Sequence, residues 1–164
     1  AILPVVFGQA SAQLRELIDL HKPSAVLCLG QAEGRSAMTP ERIAINLDNA
    51  RIADNAGNQP LEQKIYADGP DGHFSTLPIE KMVASMKAAG IPASISLSAG
   101  TFVCNHIFYV LQDYLKDSPI KSGFMHVPLM DEQRKEFPNL PTMPVRQMVA
   151  GVQISLDLLR VETT

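Results

Sequence analysis

Cysteine and histidine set the chemistry open to this chain, which has two of the first and four of the second. Cys104 lies in "SLSAGTFVCNHIFY" (96–109), which reads as a strand end, a reversal over Ser98-Ala99-Gly100 and the start of a helix. The first turn of a helix presents unpaired backbone N–H groups. A thiol placed there is expected to have a lowered pKa, and the same N–H groups can stabilise an oxyanion on an attacked carbonyl. The competing reading of Cys104 is a small buried hydrophobe, the common fate of a free cysteine. Cys28, between Leu27 and Leu29 in "AVLCLG", reads as core.

A cysteine nucleophile needs a base. His126 closes the run "GFMHVP", and in open α/β sheets ligands bind at the C-terminal strand ends, so His126 is the candidate. His106 sits two residues from Cys104 on the same helix and must point to another side. His21 and His73 fall at a helix end and in a polar turn, where a solvated or structural role is expected. The base also needs a group to orient it. Glu41, in "MTPERIAIN", stands near a strand end, but it is one of 17 acidic residues, and position alone does not single it out.

These groups require a scaffold of alternating strands and helices. "SAQLRELIDLH" (11–21) carries Leu14, Leu17, Ile18 and His21 at helical spacing, with Ser11 as the expected cap and Pro23 as the stop. "SAVLCLG" (24–30) reads as a strand buried on both faces. "ERIAINL" (41–47) alternates as a strand with one smaller, more polar face, and 48–63 is a long loop. "KIYADGPDGHFST" (64–76) suggests a hairpin around Gly-Pro-Asp-Gly. Pro78 opens a helix with Met82, Val83 and Met86 on one face, stopped by Gly90 and Pro92. "PASISLS" (92–98) is the next strand, the Cys104 helix runs to about Lys116, 121–128 is another strand and 144–161 a closing helix. The expected fold is a single α/β domain over residues 1–164, a three-layer α/β/α sandwich around a mostly parallel or mixed sheet.

Composition narrows the function. Of 164 residues, 46% are hydrophobic and 19% charged, enough for a sizeable core. A net charge of -3 with no basic tract speaks against nucleic acid as a partner. No apolar run approaches membrane-spanning length and "AILPVVFGQ" lacks the marks of a signal peptide, so a cytoplasmic location and no membrane partner are expected. Two cysteines in unlike settings make a poor disulfide framework. No spacing suits a metal ligand set and no glycine fingerprint suits a dinucleotide, so no metal or cofactor is expected.

Five blocks, "GQAEGRSAMTPERIAIN" (30–46), "DNARIADNAGNQP" (48–60), "GPDGHFSTLPI" (69–79), "SLSAGTFVCNHIFY" and "GFMHVP", resemble in order and spacing the pyrrolidone-carboxylate peptidases, or pyroglutamyl peptidase I. The likeness spans nearly the whole chain. It implies a cysteine peptidase that removes N-terminal pyroglutamyl residues from peptides through an acyl-enzyme, with Cys104, His126 and Glu41 as the catalytic set. It further implies Arg51 near the oxyanion, Gln31, Ile52, Phe102 and Val103 as walls or main-chain contacts of the pocket, and a homodimer or homotetramer. For Arg51 an ordinary surface ion pair is the alternative, and for each apolar pocket residue simple packing.

The chain also departs from the resemblance. The family begins with a strand and a "GF-x-PFGG"-like turn that nothing here matches, which implies an N-terminally incomplete domain and, if so, an inactive one. Glu33 and Gly72-His73 replace a small residue and Ala-Tyr. Three alternatives therefore stay open: a catalytically inactive fragment, a small-molecule-binding module on the same scaffold, or a different cysteine amidase. The 136–145 segment is read as an interface or a flap.

Overall fold

A computed structural model describes residues 1–161. In chain order the elements are α1 (Gln9–His21), β1 (Ala25–Gln31), β2 (Thr39–Pro40), β3 (Ile43–Ile45), β4 (Gly72–Phe74), α2 (Ile79–Ala88), α3 (Val103–Leu115), β5 (Lys121–Val127), β6 (Leu129–Met130), β7 (Thr142–Met143) and α4 (Val145–Val161). The central sheet has the order β1-β5-β2, with β1 parallel and β2 antiparallel to β5. Helices cover both faces. Leu14 and Ile18 of α1 pack with Ile107, Leu111 and Leu115 of α3 against Val26 and Cys28. On the opposite face, Met82 and Met86 of α2 pack with Met148 and Leu159 of α4 against Leu27 and Met125. This is the expected three-layer α/β/α arrangement with a mixed sheet, and the alternation of side chains along each strand divides the two cores.

The β1–β5 register matters most for chemistry. Cys28 stands opposite Phe124 and Gly30 opposite His126. Paired residues of parallel strands send their side chains to the same face, so Phe124 and His126 share the α3 side with Cys28.

Several local expectations are corrected. Helix α1 starts at Gln9 with Gly8 as its N-cap; Ser11 lies inside the first turn, buried, its hydroxyl donating to the Gly8 carbonyl. β1 is not buried on both faces: Leu29 is 48% exposed, because β1 forms an edge of the sheet among the described residues. The 64–76 hairpin does not form. Gly72–Phe74 pairs instead with Ile43–Ile45, and the Asn46 amide holds the preceding segment by bonding Tyr66 and Gly69. Segment 92–98 lies parallel to 38–42 through bonds from Met38 N–H to Pro92, Ser94 N–H to Met38, Ser96 N–H to Pro40 and Arg42 N–H to Ser96. It forms pairs at Met38–Ala93 and Glu41–Ser96 rather than a continuous strand, because Pro40 has no N–H to give the intervening rung. Within 136–145 one part is fastened, while Pro138 and Val145 stay exposed. Thr142–Met143 pairs with Leu129–Met130, Met143 is buried, and Arg134 and Asp131 both bond Thr142.

Candidate active site

Cys104 is the second residue of α3, after Phe102, whose extended backbone serves as N-cap without a side-chain bond. The same turn of the helix is fastened to β3 by Asn105, which is fully buried. Its carbonyl accepts the Ile45 N–H at 3.0 Å and its amide donates to the Ile45 and Leu47 carbonyls at 2.9 and 3.1 Å. The Cys104 thiol thus has a fixed position over the sheet. It lies against Gly30, where an added Cβ would come within 3.1 Å of Cys104 Sγ and 2.8 Å of the Phe124 ring. The thiol therefore occupies space that a side chain at position 30 would fill, directly beside the register partner of His126.

His126 is 4% exposed and Glu41 wholly buried. The imidazole Nδ1 lies 2.7 Å from Glu41 Oε1. A carboxylate only accepts, so Nδ1 carries a proton, and in the neutral ring Nε2 then holds the lone pair a general base requires. The Phe124 ring, 4.9 Å from the imidazole centroid, packs beside it. Glu41 comes from the extended stretch after β2, where its own N–H donates to the Phe124 carbonyl. The same Oε1 accepts from Arg35 Nη2 at 3.2 Å, and that nitrogen also donates to the Ser98 carbonyl.

The electrostatics of Cys104 differ from the expectation for a helix N-terminus. Burial pushes its thiol up to about 11, the Glu41 charge adds to the rise, and only its own backbone N–H pulls the other way. The helix end is outweighed because the thiol is desolvated and a carboxylate stands near. A thiol raised in this way stays protonated at neutral pH, and to act as a nucleophile it would need a base. Burial likewise pushes Cys28 up to about 12, with the neighbouring Cys104 adding to the rise.

Cys104, Phe102, Val103 and Gln31 line one cavity of about 700 Å³, together with Val26, Cys28, Gly30, Phe124 and residues 1–5. Its walls are mainly apolar. The Gln31 side chain is held by Gln133 through reciprocal amide bonds of 2.7 and 3.1 Å. Arg51 and Ile52 are exposed and stand outside this lining; Gln59 fixes the bend by donating to the Ala50 and Arg51 carbonyls. Arg35 was not singled out by sequence reasoning; the signal available was a glycine-preceded arginine six positions before Glu41. His106, as expected, points elsewhere, with Nδ1 2.8 Å from Asp48 and Nε2 3.2 Å from the Ser11 hydroxyl. His73 packs on Tyr109 beside Asp113. Among the described residues no cluster of three or more metal-ligating side chains occurs, and no helix is long and apolar enough to cross a membrane.

Comparison with known proteins adds independent findings. The family described as pyroglutamyl peptidase matches residues 1–161. A pyrrolidone-carboxylate peptidase from Cupriavidus taiwanensis is 48% identical over 94% of this chain and 73% of its own length. One from Gloeobacter violaceus is 46% identical over 98% of this chain and 78% of its own. Among solved structures, pyroglutamyl peptidase I from Bacillus amyloliquefaciens superposes with a TM-score of 0.91 at 43% identity, covering 93% of this chain and 73% of that one. A mutant pyrrolidone carboxyl peptidase from Pyrococcus furiosus superposes with a TM-score of 0.93 at 36% identity, covering 99% and 81%.

Proposed function

Because the chain belongs to the pyroglutamyl peptidase family, we propose that it hydrolyses the amide bond after an N-terminal pyroglutamyl residue, with Cys104 as nucleophile, His126 as base and Glu41 as its orienting carboxylate. The observation that carries this reading is the buried His126–Glu41 hydrogen bond of 2.7 Å set beside the glycine against which Cys104 Sγ packs.

The chemistry follows from the protonation states. Nε2 of His126 takes the proton of the neutral thiol as Sγ attacks the pyroglutamyl carbonyl, and the imidazolium so formed is stabilised through Nδ1–H by Glu41. The carbonyl oxygen gains the negative charge, and the free backbone N–H groups at the start of α3 are its donors. Collapse of the tetrahedral intermediate breaks the C–N bond, and His126 returns its proton to the leaving amine. Water, deprotonated by the same imidazole, then cleaves the thioester and regenerates the thiol. The pyroglutamyl ring is small and uncharged, which suits an apolar cavity whose polar contacts are few. In this reading Phe102 and Val103 contribute walls, Gln31 borders the cavity through its Gln133-held amide, and Arg51 and Ile52 would have to approach with the substrate.

The proposal extends to a single peptidase domain, to the cytoplasm as its location, supported by two unpaired cysteines, and to homodimers or homotetramers, which sedimentation would measure. The direct test is hydrolysis of a pyroglutamyl amide reporter by the protein and by Cys104→Ser. Turnover abolished by the substitution supports the reading. Turnover of the reporter that survives it refutes Cys104 as nucleophile.

A further inference from the structure

Glu41 is a carboxylate with no exposure, and its Oε2 has no hydrogen-bond partner. A buried charge in that condition requires a nearby countercharge, and the groups bonded to Glu41 are His126 and Arg35. Read as the base, His126 offers Glu41 an Nδ1–H donor, and a charge only while it holds a second proton. Arg35 is the permanent cation, with its side chain three-quarters buried. Its Nη2 uses its two protons on two targets, Glu41 Oε1 and the Ser98 carbonyl, each at 3.2 Å. Ser98 belongs to the reversal that leads into the Cys104 helix. One nitrogen therefore ties the carboxylate that orients the base to the turn that delivers the nucleophile.

The loop is shaped to bring it there. Gly34 adopts a left-handed φ of 80°, open to glycine at little cost, and Arg35 N–H returns to the Ala32 carbonyl at 3.4 Å. This turn carries the chain back from the end of β1, so that the guanidinium reaches over the site.

On these contacts, and resting on the catalytic reading of Cys104, His126 and Glu41, we propose that Arg35 is a positioning residue for catalysis: its guanidinium fixes Glu41 against His126 and holds the Ser98 turn, setting the thiol and the imidazole in register. The guanidinium bonds of Arg35 run to Glu41 and the Ser98 carbonyl, not to Cys104 or His126. Its loss should lower kcat and leave KM close to its wild-type value, since the binding walls lie elsewhere. Small misplacements of reacting groups cost on the order of 100-fold in rate, and that is the expected fall for Arg35→Met. Because a single nitrogen makes both bonds, the planar fork of arginine is not essential here, and the point charge of lysine should serve. Arg35→Lys should recover to within about tenfold of wild type, whereas Arg35→Gln, which keeps a donor without the charge, should stay low.

The experiment measures kcat and KM for a pyroglutamyl amide in wild type, Arg35→Met, Arg35→Gln and Arg35→Lys, with folding of each followed by circular dichroism. Alongside, proton NMR follows the downfield His126 Nδ1–H resonance, which reports the bond to Glu41 whether or not the protein turns over this substrate. The proposal expects the resonance sharp in wild type and Arg35→Lys, and broadened or lost in Arg35→Gln and Arg35→Met. If wild type lacked turnover, the proposed activity would fall while the resonance still decided the role of Arg35. An unchanged resonance with kcat within about twofold of wild type in folded Arg35→Gln would overturn the proposal, leaving Arg35 an ordinary ion pair.

Discussion

Cys104 should be sluggish toward small thiol reagents at neutral pH, unlike a cysteine that rests as a thiolate. Its thiol is pushed from an ordinary 9.0 to about 11, chiefly by burial and next by the Glu41 charge. Two pH units remove a factor of about 100 from the thiolate fraction below pH 9. The more basic thiolate is intrinsically more nucleophilic, and a Brønsted slope of about 0.4–0.5 returns roughly six- to tenfold. The net expectation is a rate about 10–16 times slower than that of an unhindered model thiol at pH 7.5. The assay is reaction with a small aromatic disulfide, followed by absorbance from pH 6 to 10 in Cys28→Ala so that one thiol reports. The rate should climb about tenfold per pH unit with no plateau below pH 9. In Glu41→Gln, the loss of the nearby charge should raise it. A plateau near pH 6–7, or reaction faster than the model thiol, would show that Cys104 rests as a thiolate and that the thiol does not need the base in the way argued above.

Other expectations rest on separate contacts. Gly30→Ala would drive a methyl group into Cys104 Sγ and the Phe124 ring, so it should cost about 1–3 kcal/mol of stability and on the order of 100-fold in kcat, read from denaturant melts and steady-state kinetics. Glu41→Gln should lower kcat/KM by up to about 10⁴-fold with the fold intact, because an amide no longer fixes the tautomer or stabilises the imidazolium. Asn105→Ala removes the acceptor of the Ile45 N–H and the donor to the Leu47 carbonyl, while the Ile45 carbonyl keeps the Leu47 N–H; a loss of about 2–4 kcal/mol in urea unfolding is expected. The raised thiols of Cys104 and Cys28 also predict alkaline instability. Their folded pKa values exceed that of the unfolded chain, so the contribution is intact below about pH 9 and is lost as pH rises toward 11–12, at up to about 1.4 kcal/mol per pH unit for each thiol. Melts between pH 8 and 11 should show the decline, and Cys28→Ala should lessen it.

The helices were legible because their apolar spacing and stops are local: Met82, Val83 and Met86 fall on one face of α2 before Gly90, and all three are buried. The Cys104 turn and the His126 strand end were legible for the same reason. What the local pattern could not contain was set by distant partners. Asn46 holds the 64–69 segment, which prevents the hairpin that Gly-Pro-Asp-Gly suggested. Pro40 removes one rung between 38–42 and 92–98, a loss visible only once the two segments lie side by side. The thiol's basicity is not legible locally, because a helix N-terminus is a sequence feature, whereas burial and the approach of Glu41 are products of packing. Glu41 itself stood out through the resemblance of its block rather than through its own position. Arg35 is not legible in the sequence, because an arginine in a polar loop reads as solvated and only the turn at Gly34 folds it back onto Glu41.

The measurement that bears most directly on the proposed mechanism is mass-spectrometric trapping of the acyl-enzyme. The protein is mixed with a pyroglutamyl ester or activated amide, quenched in acid within the first turnover, and digested. The mechanism predicts a pyroglutamyl group on the peptide containing Cys104, absent from Cys104→Ser and slow to form in Glu41→Gln. Hydrolysis of the substrate with no adduct at Cys104, or with the adduct at another residue, would contradict it.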